Sequence, residues 1–287
     1  MEKIGLQKIP LKSQARYIKT NFIQNEFQNL LTYIDNDPEH QKYLNKGVDK
    51  LDRYSNIKPY EHNRIKIKNN QNYINASPIN ILSQKYFIAT QGPKNETIED
   101  FWRMIDEYNC NVIIMLCNLI EDGRLKCTEY WNKKNQMKSY VIENVKEEIK
   151  NQYIIRDIAF INEKKEKKNV KQIHFTGWPD YGVPNIQDGT IFDIFSEIIE
   201  KADLYKGSGP IVVHCSAGVG RTGTFISMYY LEKEIKKQIG DKVDVIQFSI
   251  FNLVRKLKEM RLYLVQNEEQ YLFIYQFVYY LLNKYNI

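Results

Sequence analysis

A composition of 287 residues, 43% hydrophobic and 26% charged with 8 prolines, rules out a disordered polymer and supplies enough apolar material for a sizeable core. The formal net charge of +6, spread along the sequence, favours anionic ligands and lends nucleic-acid binding only weak support. Cys110, Cys117, Cys127 and Cys215 form no C-x-x-C pair and have no histidine at ligand spacing, so neither a disulfide framework nor a metal site is expected.

The first twenty residues lack the apolar core of a signal peptide, and the longest apolar stretch, "YLFIYQFVYYLL" at 271–282, is too short to span a bilayer. A soluble protein of the reducing cytoplasm is the expectation. An amphipathic helix is predicted over 22–34, where Phe22, Phe27, Leu30 and Leu31 share a face. β-branched and aromatic runs then predict strands at 73–77, 86–90, 111–117, 153–161 and 171–178. Between them, 95–109 reads as a helix with acidic residues in its first turn and Phe101, Ile105 and Tyr108 on one side.

The lysine-rich run "EKKEKK" at 163–168 reads as a solvated hairpin tip. After Trp178 the texture turns helical through "DGTIFDIFSEIIEKADL", "GRTGTFISMYYLEKEIKK", "VDVIQFSIFNLVRKLKEM" and "NEEQYLFIYQFVYYLLNKY", with "GPIVVHC" as the one further strand. No linker, repeat or low-complexity segment divides the chain. The expected fold is therefore a single α/β (α+β) domain, a highly twisted mixed sheet flanked by helices.

The stretch "VHCSAGVGRTGTF", 213–225, carries the chemistry. Its "GVGRTG" matches the dinucleotide fingerprint G-x-G-x-x-G between a strand and a helix, but that fold needs a second strand ending in an acidic residue about 20 positions on. The lysine-rich helix end "LEKEIKKQIGDK" stands there instead, which removes the nucleotide reading. The P-loop signature fails too, because Gly220 is followed by Arg221 rather than lysine.

A lone cysteine in an apolar strand is ordinarily a structural thiol. Here Cys215 ends the strand, and Ser216, Ala217, Gly218, Val219 and Gly220 are small enough to wrap their N–H groups around an anion held at the helix start. That cradle, with Arg221 beside it, is expected to hold Cys215 as a thiolate and nucleophile. Arg221 is expected to clamp two phosphate oxygens, a geometry lysine cannot reproduce. Fixed donors and a guanidinium then stabilise phosphoryl transfer with no metal ion or cofactor.

"HCSAGVGRTGT" resembles the signature loop of cysteine-dependent, tyrosine-specific protein-tyrosine phosphatases. "DRYSNI" (52–57), "NYINAS" (72–77), "TQGP" (90–93), "EDGRLKCTEYW" (121–131), "WPDYGVP" (178–184) and "LVQNEEQY" (264–271) resemble other motifs of that family, in its order. The resemblance covers about residues 20–285 and implies one catalytic domain of the non-receptor kind.

It implies these roles. Asp180 is the general acid that protonates the leaving phenolate, on a loop hinged near Trp178 and Pro184 and shared with Tyr181. Gln266 positions the water that hydrolyses the phosphocysteine, with Gln270 assisting, and Thr222 stabilises the departing sulfur. His214 tunes the thiolate through hydrogen bonding rather than acting as a base. Glu121 holds Arg221 in register, Lys126 contacts the acid loop, and Tyr54 walls a pocket too deep for phosphoserine.

Three positions depart from the family pattern: Asp52 replaces an asparagine, Asn56 an aspartate that grips the peptide backbone, and Tyr263 narrows any secondary phosphate site. The absence of lysines from the signature loop disfavours phosphoinositides. A dual-specificity phosphatase is disfavoured by the Tyr54 and Gln266 motifs. A silent phosphotyrosine-binding relative typically lacks the cysteine, the acid or the arginine, and this chain keeps all three. The expected partners are phosphotyrosine proteins or peptides, with no nucleic acid and no membrane span, bound by a monomer.

Overall fold

A computed structural model of the chain describes residues 7–10, 20–69, 71–81, 84–179, 182–186 and 190–286. In order, the elements are β1 (Gln7–Pro10), α1 (Thr20–Leu30), α2 (Pro38–Gln41), β2 (Ala76–Ile81), β3 (Gln84–Thr90), α3 (Ile98–Glu107), β4 (Val112–Met115), β5 (Ile120–Glu121) and β6 (Arg124–Leu125). Then come β7 (Val141–Ile149), β8 (Tyr153–Ile161), β9 (Lys167–Phe175), α4 (Thr190–Tyr205), β10 (Ile211–His214), α5 (Gly220–Gly240), β11 (Val245–Phe248), α6 (Ile250–Met260) and α7 (Glu268–Lys284).

Seven strands form one mixed sheet in the order β2-β3-β10-β4-β9-β8-β7. The inner four, β3, β10, β4 and β9, run parallel, and antiparallel pairs close each side. Every residue of β4 and β10 is buried, which is why "VIIM" and "IVVH" are continuous rather than alternating apolar runs. Helix α4 packs on β4 and β9, α5 on β10 and β3, and α6 on β2, while α7 lies along α5. Aromatic rings fill the joints: Phe101 and Trp102 of α3 meet Tyr130 and Phe160, and Phe192 and Phe195 of α4 meet Phe273 of α7. Among the described residues no helix is long and apolar enough to cross a membrane.

The mixed sheet and its flanking helices match the expected fold, with local corrections. Residues 243–260 are not one helix: β11 precedes α6 and pairs antiparallel with β1 as a two-stranded ribbon, so β10 is not the last strand. Ser249 separates the two, its hydroxyl accepting from Asn252 N at 3.2 Å, a local N-cap. Strand β2 starts at Ala76 rather than Tyr73. Strand β9 starts at Lys167, which moves the hairpin turn to 162–166, and stops at Phe175, ahead of Gly177, which weakens a strand, and Pro179, which cannot donate to a ladder.

Candidate active site

Because the four inner strands are parallel, Thr90, His214, Met115 and Phe175 all end at one edge of the sheet, the edge where such sheets hold ligands. The segments that follow them are the Gly92 turn, the β5–β6 hairpin, the Cys215 loop and the start of the Trp178 loop. The sheet thus collects four sequence motifs in one place.

The Cys215 loop is held by its carbonyls. Cys215 O lies 3.1 Å from His214 Nδ1, and Ser216 O accepts from Gly92 N at 2.9 Å. Ala217 O and Gly218 O accept from Arg261 at 3.2 and 2.8 Å, and Val219 O accepts from Gly223 N and Val265 N at 2.8 and 3.3 Å. In a trans peptide the N–H points opposite to the C=O, so tying these carbonyls outward turns the next N–H of each unit toward the opposite side. Cys215 Sγ lies there, accepting from Gly218 N and from Thr222 Oγ1, each at 3.3 Å.

Gly218 has φ +72°, and a Cβ there would meet Thr90 O at 2.1 Å, so no side chain fits this turn. At Gly220 the missing side chain leaves room for Gln270 and Gln266, whose atoms lie 2.9 and 3.2 Å from where a Cβ would sit.

Arg221 opens α5 and is mostly buried. Its NH1 and NH2 donate to Glu121 Oε1 and Oε2 at 2.6 and 2.9 Å, and NH1 also reaches Leu116 O at 3.2 Å. Burial opposes the charge, but the Glu121 pair and the Cys215 sulfur outweigh it and hold the guanidinium above its ordinary value. Lys126 Nζ stands 4.0 Å from Glu121 Oε2, and the Lys126 carbonyl accepts from Ser216 Oγ at 2.9 Å. With that proton committed, Tyr54 OH donates to Ser216 Oγ at 2.8 Å. The Tyr54 ring is 36% exposed, the position of a rim rather than a core aromatic. Asn56 is exposed two residues on.

His214 is fully buried. Its Nε2 lies 2.9 Å from Tyr130 OH, and burial pushes its imidazole down to about 3, so it is neutral and suited to hydrogen bonding alone. Trp178 is buried against Phe175, Phe195 and Phe273 and donates to Gly182 O at 3.2 Å. Pro184 is buried as well. Asp180 and Tyr181 lie outside the described residues.

Gln266 is exposed at the N-terminal end of α7, and its backbone N donates to Gln270 Oε1 at 2.9 Å. Asn267 caps that helix by accepting from Gln270 N at 2.9 Å. The approach to Gln266 is strained: Tyr263 and Val265 have φ +66° and +61°, a costly conformation for a β-branched residue. Buried Lys258 holds Val265 O at 3.0 Å and Asp35 Oδ2 at 2.5 Å, and Gln41 donates to Tyr263 OH at 2.8 Å. The N-terminal helical segment therefore braces this loop.

The protein-tyrosine phosphatase profile matches residues 49–280. The chain belongs to the protein-tyrosine phosphatase family. It is 36% identical over 266 residues to tyrosine-protein phosphatase non-receptor type 20 of Rattus norvegicus, covering 89% of this chain and 60% of the rat protein. With receptor-type tyrosine-protein phosphatase eta of Gallus gallus it shares 41% identity over 235 residues, 79% of this chain and 16% of the receptor. The chain thus spans less than two thirds of the length of either. The crystal structure of the catalytic domain of human protein tyrosine phosphatase non-receptor type 18 superposes with a TM-score of 0.75 at 29% identity, covering 91% of this chain and 96% of that one.

Within this phosphatase-family framework, three side chains that organise the site went unassigned in the sequence. Arg261, fully buried, joins the signature loop to Asn75 Oδ1 and Ser77 Oγ at 2.7 and 3.3 Å, and burial pulls it down to about 10. Its one sequence signal is a lone charge inside the apolar run "MRLYLV". Arg53 fastens the Tyr54 segment by donating to Gly92 O, Pro93 O and Leu125 O at 2.9, 2.7 and 3.3 Å. Tyr130 anchors His214. Asp52, one of the departures from the family pattern, is buried and accepts from Tyr73 OH, Asn75 Nδ2 and Val48 N at 2.6, 2.9 and 3.0 Å, so it stiffens the base of the Tyr54 segment.

Proposed function

We propose that this chain hydrolyses phosphotyrosine in proteins through a phosphocysteine intermediate. The carbonyl-out arrangement of residues 215–219 carries this reading, because it aims a ring of N–H donors to the side on which Cys215 Sγ lies. A phosphate seated there receives those donors and the Arg221 guanidinium, whose plane Glu121 sets. Cys215 attacks phosphorus as a thiolate, the tyrosyl oxygen departs with a proton from Asp180, and the S–P bond forms. Water positioned by Gln266 then attacks phosphorus, Asp180 accepts its proton, and the thiolate leaves while hydrogen-bonded to Thr222.

Tyr54 at the rim, hydrogen-bonded to Ser216 of the signature loop, and the Gly220, Gln266 and Gln270 cluster suit a flat phenyl ring. Phosphotyrosine peptides as partners gain support from PTPN18, solved in complex with HER2 phosphopeptides at 29% identity and a TM-score of 0.74. The same reading makes the chain a monomeric, metal-independent enzyme of the cytoplasm, with Lys126, Trp178 and Tyr181 supporting the acid loop and Asn56 contacting the peptide.

The test is hydrolysis of a phosphotyrosine peptide in excess chelator by the native chain and by Cys215→Ser. Turnover is lost in the variant while peptide binding persists. Turnover that survives the substitution removes the nucleophile; binding without turnover in the native chain makes it a silent phosphotyrosine binder.

A further inference from the structure

A file of buried polar groups crosses the sheet to Cys215. Arg156 on β8 donates through NH1 to Gln172 Oε1 on β9 at 2.7 Å, and these two residues are register partners. Gln172 Nε2 donates to Tyr130 OH at 2.6 Å, Tyr130 OH lies 2.9 Å from His214 Nε2, and His214 Nδ1 lies 3.1 Å from Cys215 O. Arg156, Gln172, Tyr130 and His214 are all buried. At the outer end, Arg156 is held by Glu147 at 2.5 Å and stacks over the Trp131 ring at 4.3 Å.

The ends of this file fix its direction. Arginine only donates and a carbonyl only accepts, so Gln172 must show its oxygen to Arg156 and its nitrogen to Tyr130. The Tyr130 oxygen then accepts from Gln172, its one proton goes to His214 Nε2, and the neutral imidazole carries its own proton on Nδ1, facing Cys215 O. Four hydrogen bonds point the same way, from a guanidinium toward the nucleophile's peptide. Such a head-to-tail chain strengthens each member in a low-dielectric interior.

Given Cys215 as the nucleophile, we propose that Gln172 and Arg156 are positioning residues that set the polarity of this relay, and through His214 hold the Cys215 carbonyl outward and the sulfur in its reactive, ionised form. Arg221 from α5, Arg261 after α6 and the titratable Cys117 after β4 face Cys215. His214 in turn faces His174 and Arg53. All stay in place in the variants below.

The decisive substitution is Gln172→Glu. A carboxylate accepts from Arg156 and from Tyr130 alike, so Tyr130 turns its proton away from His214 and the relay reverses. The readout is the pH dependence of Cys215 alkylation by iodoacetamide in the substrate-free protein, beside the acidic limb of kcat/KM. Both limbs move to higher pH by about one unit, about tenfold slower alkylation at a given acidic pH, whereas Arg156→Lys, which still donates to Gln172, leaves them in place. A merely structural role lowers rates at every pH without moving a limb.

Where Gln172→Glu does not fold, Tyr130→Phe removes the proton donated to His214 and must move the limb the same way. A folded variant, by either route, whose limb stays at the native pH overturns the relay. Turnover that persists in Cys215→Ser overturns the nucleophile assignment and the relay with it, which separates the two failures.

Discussion

The guanidinium of Arg221 and the carboxylate of Glu121 meet edge to edge, NH1 against Oε1 at 2.6 Å and NH2 against Oε2 at 2.9 Å, across 100 residues of sequence. Glu121 itself is buried, so neither partner can exchange the other for water at little cost. The arginine is thereby oriented before any anion arrives.

Glu121→Gln keeps the shape and removes the charge. Charge-assisted hydrogen bonds contribute about 1.5–3 kcal/mol each, so losing one such bond lowers kcat/KM by roughly one to two decades. Competition by inorganic phosphate weakens in parallel, because in the proposed mechanism the remaining donors of that guanidinium receive it. Unchanged inhibition by phosphate would show that Glu121 does not orient Arg221.

Thr222 donates to Cys215 Sγ at 3.3 Å, a contact that in the proposed mechanism matters most when the sulfur departs. Thr222→Ala removes a hydrogen bond of about 0.5–1.5 kcal/mol and slows phosphocysteine hydrolysis by roughly threefold to tenfold. Rapid-quench measurements then show a burst of phenol release before the steady state. A slow first turnover with no burst assigns Thr222 to the attack step instead.

The general-acid role proposed for Asp180 rests on its sequence motif. General acids contribute about 10²–10⁴-fold, so Asp180→Ala slows phenyl phosphate by that order and an ester of a strongly acidic phenol far less. Equal losses for both esters exclude the assignment.

His174 is held down to about 4 by burial and by the adjacent Arg156, against about 6.5 in an unfolded chain. Between those values the unfolded imidazole binds a proton that the folded one refuses, so stability is complete above pH 6.5 and falls as the pH drops through this window. At pH 5 the deficit from this one site is about 2 kcal/mol. Urea unfolding at pH 7.5 and pH 5 checks it: His174→Asn loses about 2 kcal/mol less than the native protein between those conditions. Identical losses in the two proteins contradict the shift.

The apolar runs of β4, β8 and β10 are legible in the sequence because their burial makes them continuous or strongly β-forming. The signature loop is legible because few segments combine a terminal strand cysteine, small residues and an arginine. Strand β7 was not anticipated: exposed at its edge, "VIENVKEEI" carries mostly solvated charge and no alternation. The β11–α6 junction is hidden because apolar spacing continues through Ser249, whose capping role exists only once the chain turns there.

Buried polar partners are the least legible. Arg261, Arg53, Gln172 and Arg156 look like surface residues in one dimension, since their burial is tolerated only by acceptors that distant segments supply. Motif and periodicity therefore find the groups proposed to react, while the groups that hold them emerge from tertiary contact.

Arg261 and its acceptor Asn75 stand 186 residues apart, and β3 meets β10 through Phe87 and Ile211. Such distant pairings form slowly, because loop-closure entropy is lost before contacts repay it. The loop carbonyls have no partners until β3, β10 and the end of α6 have converged. Recovery of the proposed turnover during refolding therefore trails recovery of helical signal, and that turnover serves as a clock for the last event of folding.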